Sequence, residues 1–350
     1  MKRQTAWRWI RTGALVAGLV LLFAACSKVA PQDTLRPQGP VAQREADLIK
    51  PVFWIAGVVF VFVEGLILFI SVKFRHRKGQ DRAPTQVHGN KKLELTWTII
   101  PTVLLAAIAV PTIGTILSLG QEPAKADRLD VRIIAHQWWW EVEYPDSRVV
   151  TANEIHIPTG KPIYFTLESR NTTTEIPVIH SFWIPALGGK QDVVPGRINH
   201  LTLEADHPGE YLGQCAEFCG ISHAYMRLKA FAMTPQDFDV WLQEQGRDAA
   251  TPTDGLARQG MELFQQFPGG SCMACHALRG IQGAGARVGP DLTHIASRTT
   301  FAGAIVPFTT EKLTAWLDDP KSVKPGAKMP DYGLSPDEIR ALVAYLESLT

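Results

Sequence analysis

Gln214-Cys215-Ala216-Glu217-Phe218-Cys219-Gly220-Ile221-Ser222-His223-Ala224-Tyr225-Met226 gathers two thiols, an imidazole and a thioether into one short stretch. A second imidazole, His180, lies upstream in Val178-Ile179-His180-Ser181-Phe182-Trp183-Ile184-Pro185. Two thiolates, two imidazoles and a thioether are a soft donor set, which favours copper over calcium or magnesium. Two thiolates can each bridge two metal ions, and each ion then takes one imidazole. Such a pair shares one unpaired electron and changes little in geometry when it gains or loses a charge. It therefore suits fast electron transfer rather than catalysis, with neighbouring contacts tuning the potential. A disulfide between Cys215 and Cys219 is compatible with an oxidising compartment but leaves His180, His223 and Met226 without a role. A structural Cys₂His₂ zinc site fits the ligand count as well, with Met226 and the β-rich setting against it.

The residues around this stretch read as strands. Alternation recurs at 131–134, 154–157, 163–167 and 200–203, punctuated by Pro158, Gly160, Pro185, Gly188, Gly189, Pro195, Pro208 and Gly209. Short strands at this spacing predict a β-sandwich or Greek-key barrel over 129–233.

Cys-x-x-x-Cys-x-x-x-His-x-x-Met with His180-Ser181-Phe182 upstream resembles subunit II of the heme–copper cytochrome c oxidases, a likeness that covers residues 45–245. His136-Gln137-Trp138-Trp139-Trp140-Glu141 and Glu94-Leu95-Thr96-Trp97-Thr98-Ile99-Ile100-Pro101 resemble two further segments of that family. The resemblance implies a cupredoxin barrel behind a two-helix anchor. It implies that His180, Cys215, Cys219, His223 and Met226 ligate a dinuclear copper centre, with Glu217 contributing its backbone carbonyl. The Glu217 side chain is then expected to help hold a magnesium ion at the interface with subunit I. Trp138 matches the tryptophan through which that family accepts electrons, and Glu94 the glutamate at the mouth of a proton channel. Read on their own, three adjacent tryptophans on a strand alternate faces, so at least one is expected to face outward, as an interface residue or a relay. Read on its own, a lone Glu94 is more often a solvated residue at a helix start, and only the resemblance raises it.

The N-terminal third reads as membrane-bound. Lys2, Arg3, Arg8 and Arg11 precede a short apolar run at 13–25, so residues 1–25 read as an export signal. Small residues before the lone Cys26 resemble a bacterial lipoprotein cleavage site, with Cys26 as lipid acceptor. A plain signal peptide or retained anchor is the alternative. Two longer apolar runs, 52–72 with Glu64 as its one charge and 96–119 with none, are each long enough to cross a bilayer. Between them, Lys73, Arg75, Arg77, Lys78, Arg82, Lys91 and Lys92 stand against Asp81 alone, which places this loop on the cytoplasmic side. Everything after residue 120 is then periplasmic or extracellular, on the outer face of a bacterial cytoplasmic membrane. Glu64 inside a span faces protein or water, for function or for a structural hydrogen bond to a partner helix. Pro101 and Pro111 predict local kinks.

The C-terminal third carries Cys272-Met273-Ala274-Cys275-His276, the C-x-x-C-H pattern of covalent heme c attachment. Two thiols anchor the heme and His276 supplies one axial ligand. Met329, in Lys324-Pro325-Gly326-Ala327-Lys328-Met329-Pro330, is the expected second one, which raises the potential. A zinc knuckle or a thioredoxin-type pair is the alternative for the two cysteines. Helices are expected at 235–245, 254–266 and 310–318. A last one opens at a capping box, Ser335-Pro336-Asp337-Glu338. With Gly289-Pro290-Asp291-Leu292, this part resembles a class I cytochrome c.

The composition agrees. The chain has 350 residues, 46% of them hydrophobic and 20% charged, which excludes a disordered class. A net charge of +1 gives no support to a nucleic-acid partner. Of the five cysteines, two go to copper, two to heme and one to lipid. The expected organisation is a signal (1–25), a transmembrane hairpin (26–120, with spans at about 52–74 and 96–119), a cupredoxin domain (121–245), a linker (246–254) and an all-α cytochrome c domain (255–350). The expected function is that of subunit II of a respiratory cytochrome c oxidase. It takes electrons from an external reductant at its heme c, passes them to the copper pair and on to subunit I, where oxygen is reduced with proton pumping. The alternatives are subunit II of a copper-containing nitric oxide reductase and a stand-alone membrane-tethered electron carrier.

Overall fold

A computed structural model of the chain describes residues 12–14, 16–18, 31–75, 86, 88–170, 177–266 and 271–350. The basic residues of the signal, Cys26, and Arg77, Lys78, Asp81 and Arg82 of the basic loop lie outside the described residues.

Two long helices open the described chain, α1 (Pro40–Lys73) and α2 (Lys91–Leu119). No residue of their apolar windows is buried on the isolated chain, as befits surfaces meant for lipid or partner helices. α1 begins at residue 40, well before the expected span. Pro40 supplies a preset φ at its first turn, and Ala42 and Ala46 are buried against the β domain. Gly189 N donates to Glu45 Oε1 at 2.9 Å, so this end of α1 belongs to the soluble part. α2 is capped by Asn90, whose side chain accepts from Lys92 N and Leu93 N, and it runs continuously through Pro101 and Pro111. Arg44 Nη1 meets Ser118 Oγ at 3.1 Å, which joins the start of α1 to the end of α2 beside the β domain. The loop between the helices is therefore at the far end of the hairpin.

The β domain contains β1 (Leu129–His136), β2 (Trp139–Tyr144), β3 (Val149–Ala152), β4 (Glu154–Pro158), β5 (Ile163–Ser169), β6 (His180–Trp183), β7 (Gln191–Val193), β8 (Asn199–Leu203), β9 (Gly209–Cys215) and β10 (Arg227–Met233). They form two five-stranded sheets, ordered β3-β2-β1-β5-β8 and β4-β10-β9-β6-β7. β1 with β5 and β4 with β10 pair in parallel, which marks crossovers between the sheets rather than a meander. Inward residues of both sheets, among them Ile133, Trp140, Ile155, Phe165, Leu167, Phe182 and Leu228, make one core. α3 (Pro235–Gln245), capped by Thr234, closes the domain.

The last domain is α4 (Gly255–Gln266), a two-stranded β11 (Thr300–Phe301) and β12 (Val306–Pro307), α5 (Thr310–Asp318), α6 (Pro320–Val323) and α7 (Pro336–Glu347). α4 crosses α7, and Phe264, Leu313, Leu317, Leu342, Tyr345 and Leu346 form its core. The capping box at Ser335 and Glu338 is present as expected.

One expectation fails. Trp138, Trp139 and Trp140 are all buried, at 8%, 8% and 0% exposure, so none of the three faces solvent. The cytochrome-like domain lies over the outer face of this segment. Arg287 of that domain pairs with Glu141 at 2.9 Å and with Glu143 on β2. Glu154, 1% exposed, accepts from the amides and hydroxyls of both Thr299 and Thr300. The polar segment 246–254 thus links two docked bodies.

Candidate functional site

The first cluster sits where β6 and β9 meet. Their antiparallel register puts Phe182 opposite Cys215, which brings His180, at the start of β6, to the end of β9. The chain then turns through 216–222 into a helical turn (His223–Tyr225) and returns as β10. Cys215 Sγ lies 3.8 Å from His180 Nδ1 and 3.8 Å from Cys219 Sγ. Cys219 Sγ lies 3.6 Å from His223 Nδ1 and 3.9 Å from Met226 Sδ. Glu217 O is 3.2 Å from Cys215 Sγ. An ion held tetrahedrally with metal–sulfur bonds of ~2.3 Å sets its donor atoms about 3.5–3.8 Å apart, so these spacings fit metal coordination. A disulfide needs sulfurs ~2.0 Å apart, and both thiols are free. His180, Cys215, Cys219 and Met226 are all buried. The sulfur–sulfur contact lowers the pKa of Cys215 and, together with burial, raises that of Cys219, so the pair holds one thiolate readily. A bound cation would favour the second.

The second cluster lines one cavity in the cytochrome-like domain. Cys272, Cys275, His276 and Met329 are on its wall, and Met329 is the methionine among the lining residues. His276 Nδ1 is 2.8 Å from Pro290 O, which leaves Nε2 as the atom free to ligate. Burial pushes the His276 pKa down, which favours the neutral ring that ligation requires. Gly289 is needed beside it: a Cβ there would lie 2.6 Å from His276 Cε1. Trp316 Nε1 donates to Met329 Sδ at 3.1 Å. Arg298 Nε is buried on the cavity wall with no protein partner, and burial lowers the Arg298 pKa. Arg298 Nη2 is held by Asp291 O at 2.6 Å, so an apolar cavity with two thiols, an imidazole and one unpaired, buried guanidinium N–H fits a heme, whose propionates are anions.

The two clusters share a wall. Trp138 and Trp139 line the same cavity, and Trp138 Nε1 donates to Cys219 O at 2.9 Å. Gln137 Nε2 donates to the same oxygen at 2.9 Å. His136 stacks on Trp139 with ring centroids 4.0 Å apart and meets Glu141 Oε2 at 2.9 Å. Burial works against the Glu141 carboxylate, but the His136 hydrogen bond and the charges of His136, Arg287 and Arg170 outweigh it and hold its pKa low.

One expected site residue stands apart. Glu94 is exposed in the first turn of α2, remote from both clusters at the far end of the hairpin. The Glu217 side chain accepts from Phe218 N at 3.0 Å beside the first cluster. Sequence reading missed Lys324, Arg298, Trp316 and Glu154. An arginine, a lysine or a helix tryptophan carries no local signal of a role; Glu154 stands out only as part of a strand and Lys324 only as a neighbour of Met329.

Three family descriptions match the chain: the transmembrane domain of cytochrome c oxidase subunit II over residues 35–114, its periplasmic domain over 129–232, and cytochrome c over 257–350. Cytochrome c oxidase subunit 2 of Alkalihalophilus pseudofirmus is 38% identical over 336 residues, 95% of this chain and 94% of the relative. The protein of the same name from Bacillus subtilis is 37% identical, with 98% of each covered. Quinol oxidase subunit 2 of Bacillus subtilis is 35% identical over 66% of this chain and 71% of its own length. Among solved structures, the periplasmic domain of subunit II of cytochrome oxidase from Bradyrhizobium japonicum covers 35% of this chain and 95% of its own, at 28% identity and a TM-score of 0.32.

Proposed function

The chain belongs to the cytochrome c oxidase subunit II family, and from that membership we infer that it is the electron-accepting subunit of a respiratory terminal oxidase. It is a membrane protein with a copper-binding domain and a heme-binding domain, and it works with other oxidase subunits.

The finer reading rests on the donor geometry. His180, Cys215, Cys219, His223 and Met226 with the Glu217 carbonyl would hold copper. Four donors complete a structural zinc site, whereas this cluster offers six, which would suit two ions. Cys272 and Cys275 would attach heme covalently, with His276 and Met329 on the iron. When bound, copper and heme supply reversible one-electron chemistry.

The remaining work falls to the chain. The β frame fixes the ligands from strands and one turn, so little must move when charge arrives. Pro290 O sets the tautomer of His276, and the buried walls exclude water. Trp138 is the contact through which electrons reach the copper domain on their way to subunit I. Oxygen is reduced there, with proton pumping. The Glu217 side chain would help hold magnesium at that interface, and Glu94 would stand at a proton-channel mouth on the cytoplasmic side. Both soluble domains would lie on the periplasmic or extracellular side, with Cys26 as a lipid acceptor. The hairpin would run over 26–120, the copper domain over 121–245 and the cytochrome domain over 255–350.

The single observation that carries this reading is the convergence of two thiols, two imidazoles and a thioether within 3.6–3.9 Å contacts beside a tryptophan shared with the heme cavity. Metal analysis and optical spectra test it. About two coppers and one covalent heme per chain are expected, and Cys215→Ser is expected to lose the near-infrared copper band while keeping the heme bands. One copper, or zinc, in the native protein would sink it.

A further inference from the structure

We propose that Lys324 is a positioning residue that clamps the cytochrome domain's ligand loop, residues 324–329, onto Trp138 and the copper loop. This rests on the reading of the two clusters given above.

Lys324 is 4% exposed, and its Nζ donates to Trp138 O at 2.6 Å. Among the described residues it has no carboxylate partner. A buried ammonium aimed at a carbonyl is costly to desolvate, and a site serving only packing would take an apolar side chain instead. The carbonyl it holds belongs to the residue whose indole donates to Cys219 O. The neighbouring Pro325 O accepts from Ser222 Oγ, one residue before His223. Across from it, Arg227 N donates to Gly303 O at 3.0 Å, one residue after Met226. Gly303 has φ +85°, and a Cβ there would lie 2.5 Å from Tyr225 O and 2.7 Å from Lys324 Nζ. Trp138 O and Gly303 therefore meet the Lys324 head group, while Pro325 and Gly303 bond to Ser222 and Arg227, which flank the ligand positions His223 and Met226. Met329 lies five residues further along the same loop.

The device sets geometry only. One electron leaves the cytochrome domain and arrives at the copper domain, and no bond or proton changes hands at Lys324. The test uses the assembled, metal-loaded oxidase. A flash-generated reductant delivers one electron to the heme, and absorbance follows its arrival at copper. Lys324→Met is expected to slow this internal step severalfold, because tunnelling weakens exponentially as the two centres separate, with the heme and near-infrared copper bands retained. Lys324→Arg restores most of the rate, which a purely space-filling role would not require. Ser222→Ala, a milder change, slows it by roughly threefold. Unchanged rates in both Lys324→Met and Ser222→Ala, with both bands intact, would overturn the clamp. Absence of the copper band in the native protein would instead overturn the assignment of the clusters.

Discussion

His156 shows how one buried ring sets an acid limit. It is stacked between Trp241, at 4.2 Å, and Phe231, at 5.0 Å, and its Nδ1 is buried with no partner. Burial, with the nearby charge of Arg298, holds its pKa down at about 3 against an ordinary 6.5. The unfolded chain therefore binds a proton that the native one does not between pH 6.5 and 3. Stability is full above 6.5 and falls as the pH drops through that window, by about 1 kcal/mol per unit. His156→Phe keeps the stack and removes the titration. Thermal melts of the detergent-solubilised chain from pH 4 to 7 are expected to fall less steeply in the variant. Parallel curves would refute the assignment.

Helix crossing decides the stability of the heme domain. α4 lies so close to α7 at Gly260 that a Cβ there would sit 1.9 Å from Ala341 O and 2.8 Å from Tyr345 Cβ. Those atoms are backbone and the base of a buried side chain, so neither can move aside cheaply. Gly260→Ala is expected to cost ~1–3 kcal/mol through overpacking. In a domain of this size that corresponds to a fall in melting temperature of roughly 5–15 °C, read at the heme absorbance. The copper band, which belongs to a separate core, should melt as before. The same element-level logic explains α1. Its first turns pack on the β domain through Ala42 and Ala46, which extends the helix well beyond the membrane span.

The two soluble domains are docked as one unit, with Arg287, Glu154 and Lys324 as polar pins around the tryptophans. A donor on a loose tether would gain only effective concentration, whereas a docked one gains fixed distance. Glu154→Ala leaves the amides and hydroxyls of Thr299 and Thr300 without their acceptor, at a cost of ~1–3 kcal/mol for each group that water cannot reach. Hydrogen exchange at residues 138–140 and 299–301 of the full chain is expected to quicken by about ten- to a hundredfold, since each 1.4 kcal/mol of lost docking is tenfold in opening. Exchange that stays slow would show that the other pins suffice.

Much of this was legible along the chain. The copper loop, the heme attachment motif, the two spans and the helices at 235–245, 310–318 and from Ser335 follow from spacing, periodicity and caps. Each of those signals lies within a few residues, where the backbone geometry of a helix turn or a strand already dictates who meets whom. The tryptophan segment was misjudged because its outward faces are covered by a domain far along the chain. Glu154 and Thr299 are 145 residues apart, and Lys324 and Trp138 are 186 apart. Nothing local distinguishes such residues from solvated surface charges. Sequence alone therefore singled out the donor groups that the fold gathers into the two clusters, because donor chemistry at short fixed spacing is legible along the chain. Tertiary structure decided how the two metal-binding domains face each other, because that depends on which polar groups are buried together once both cores have formed.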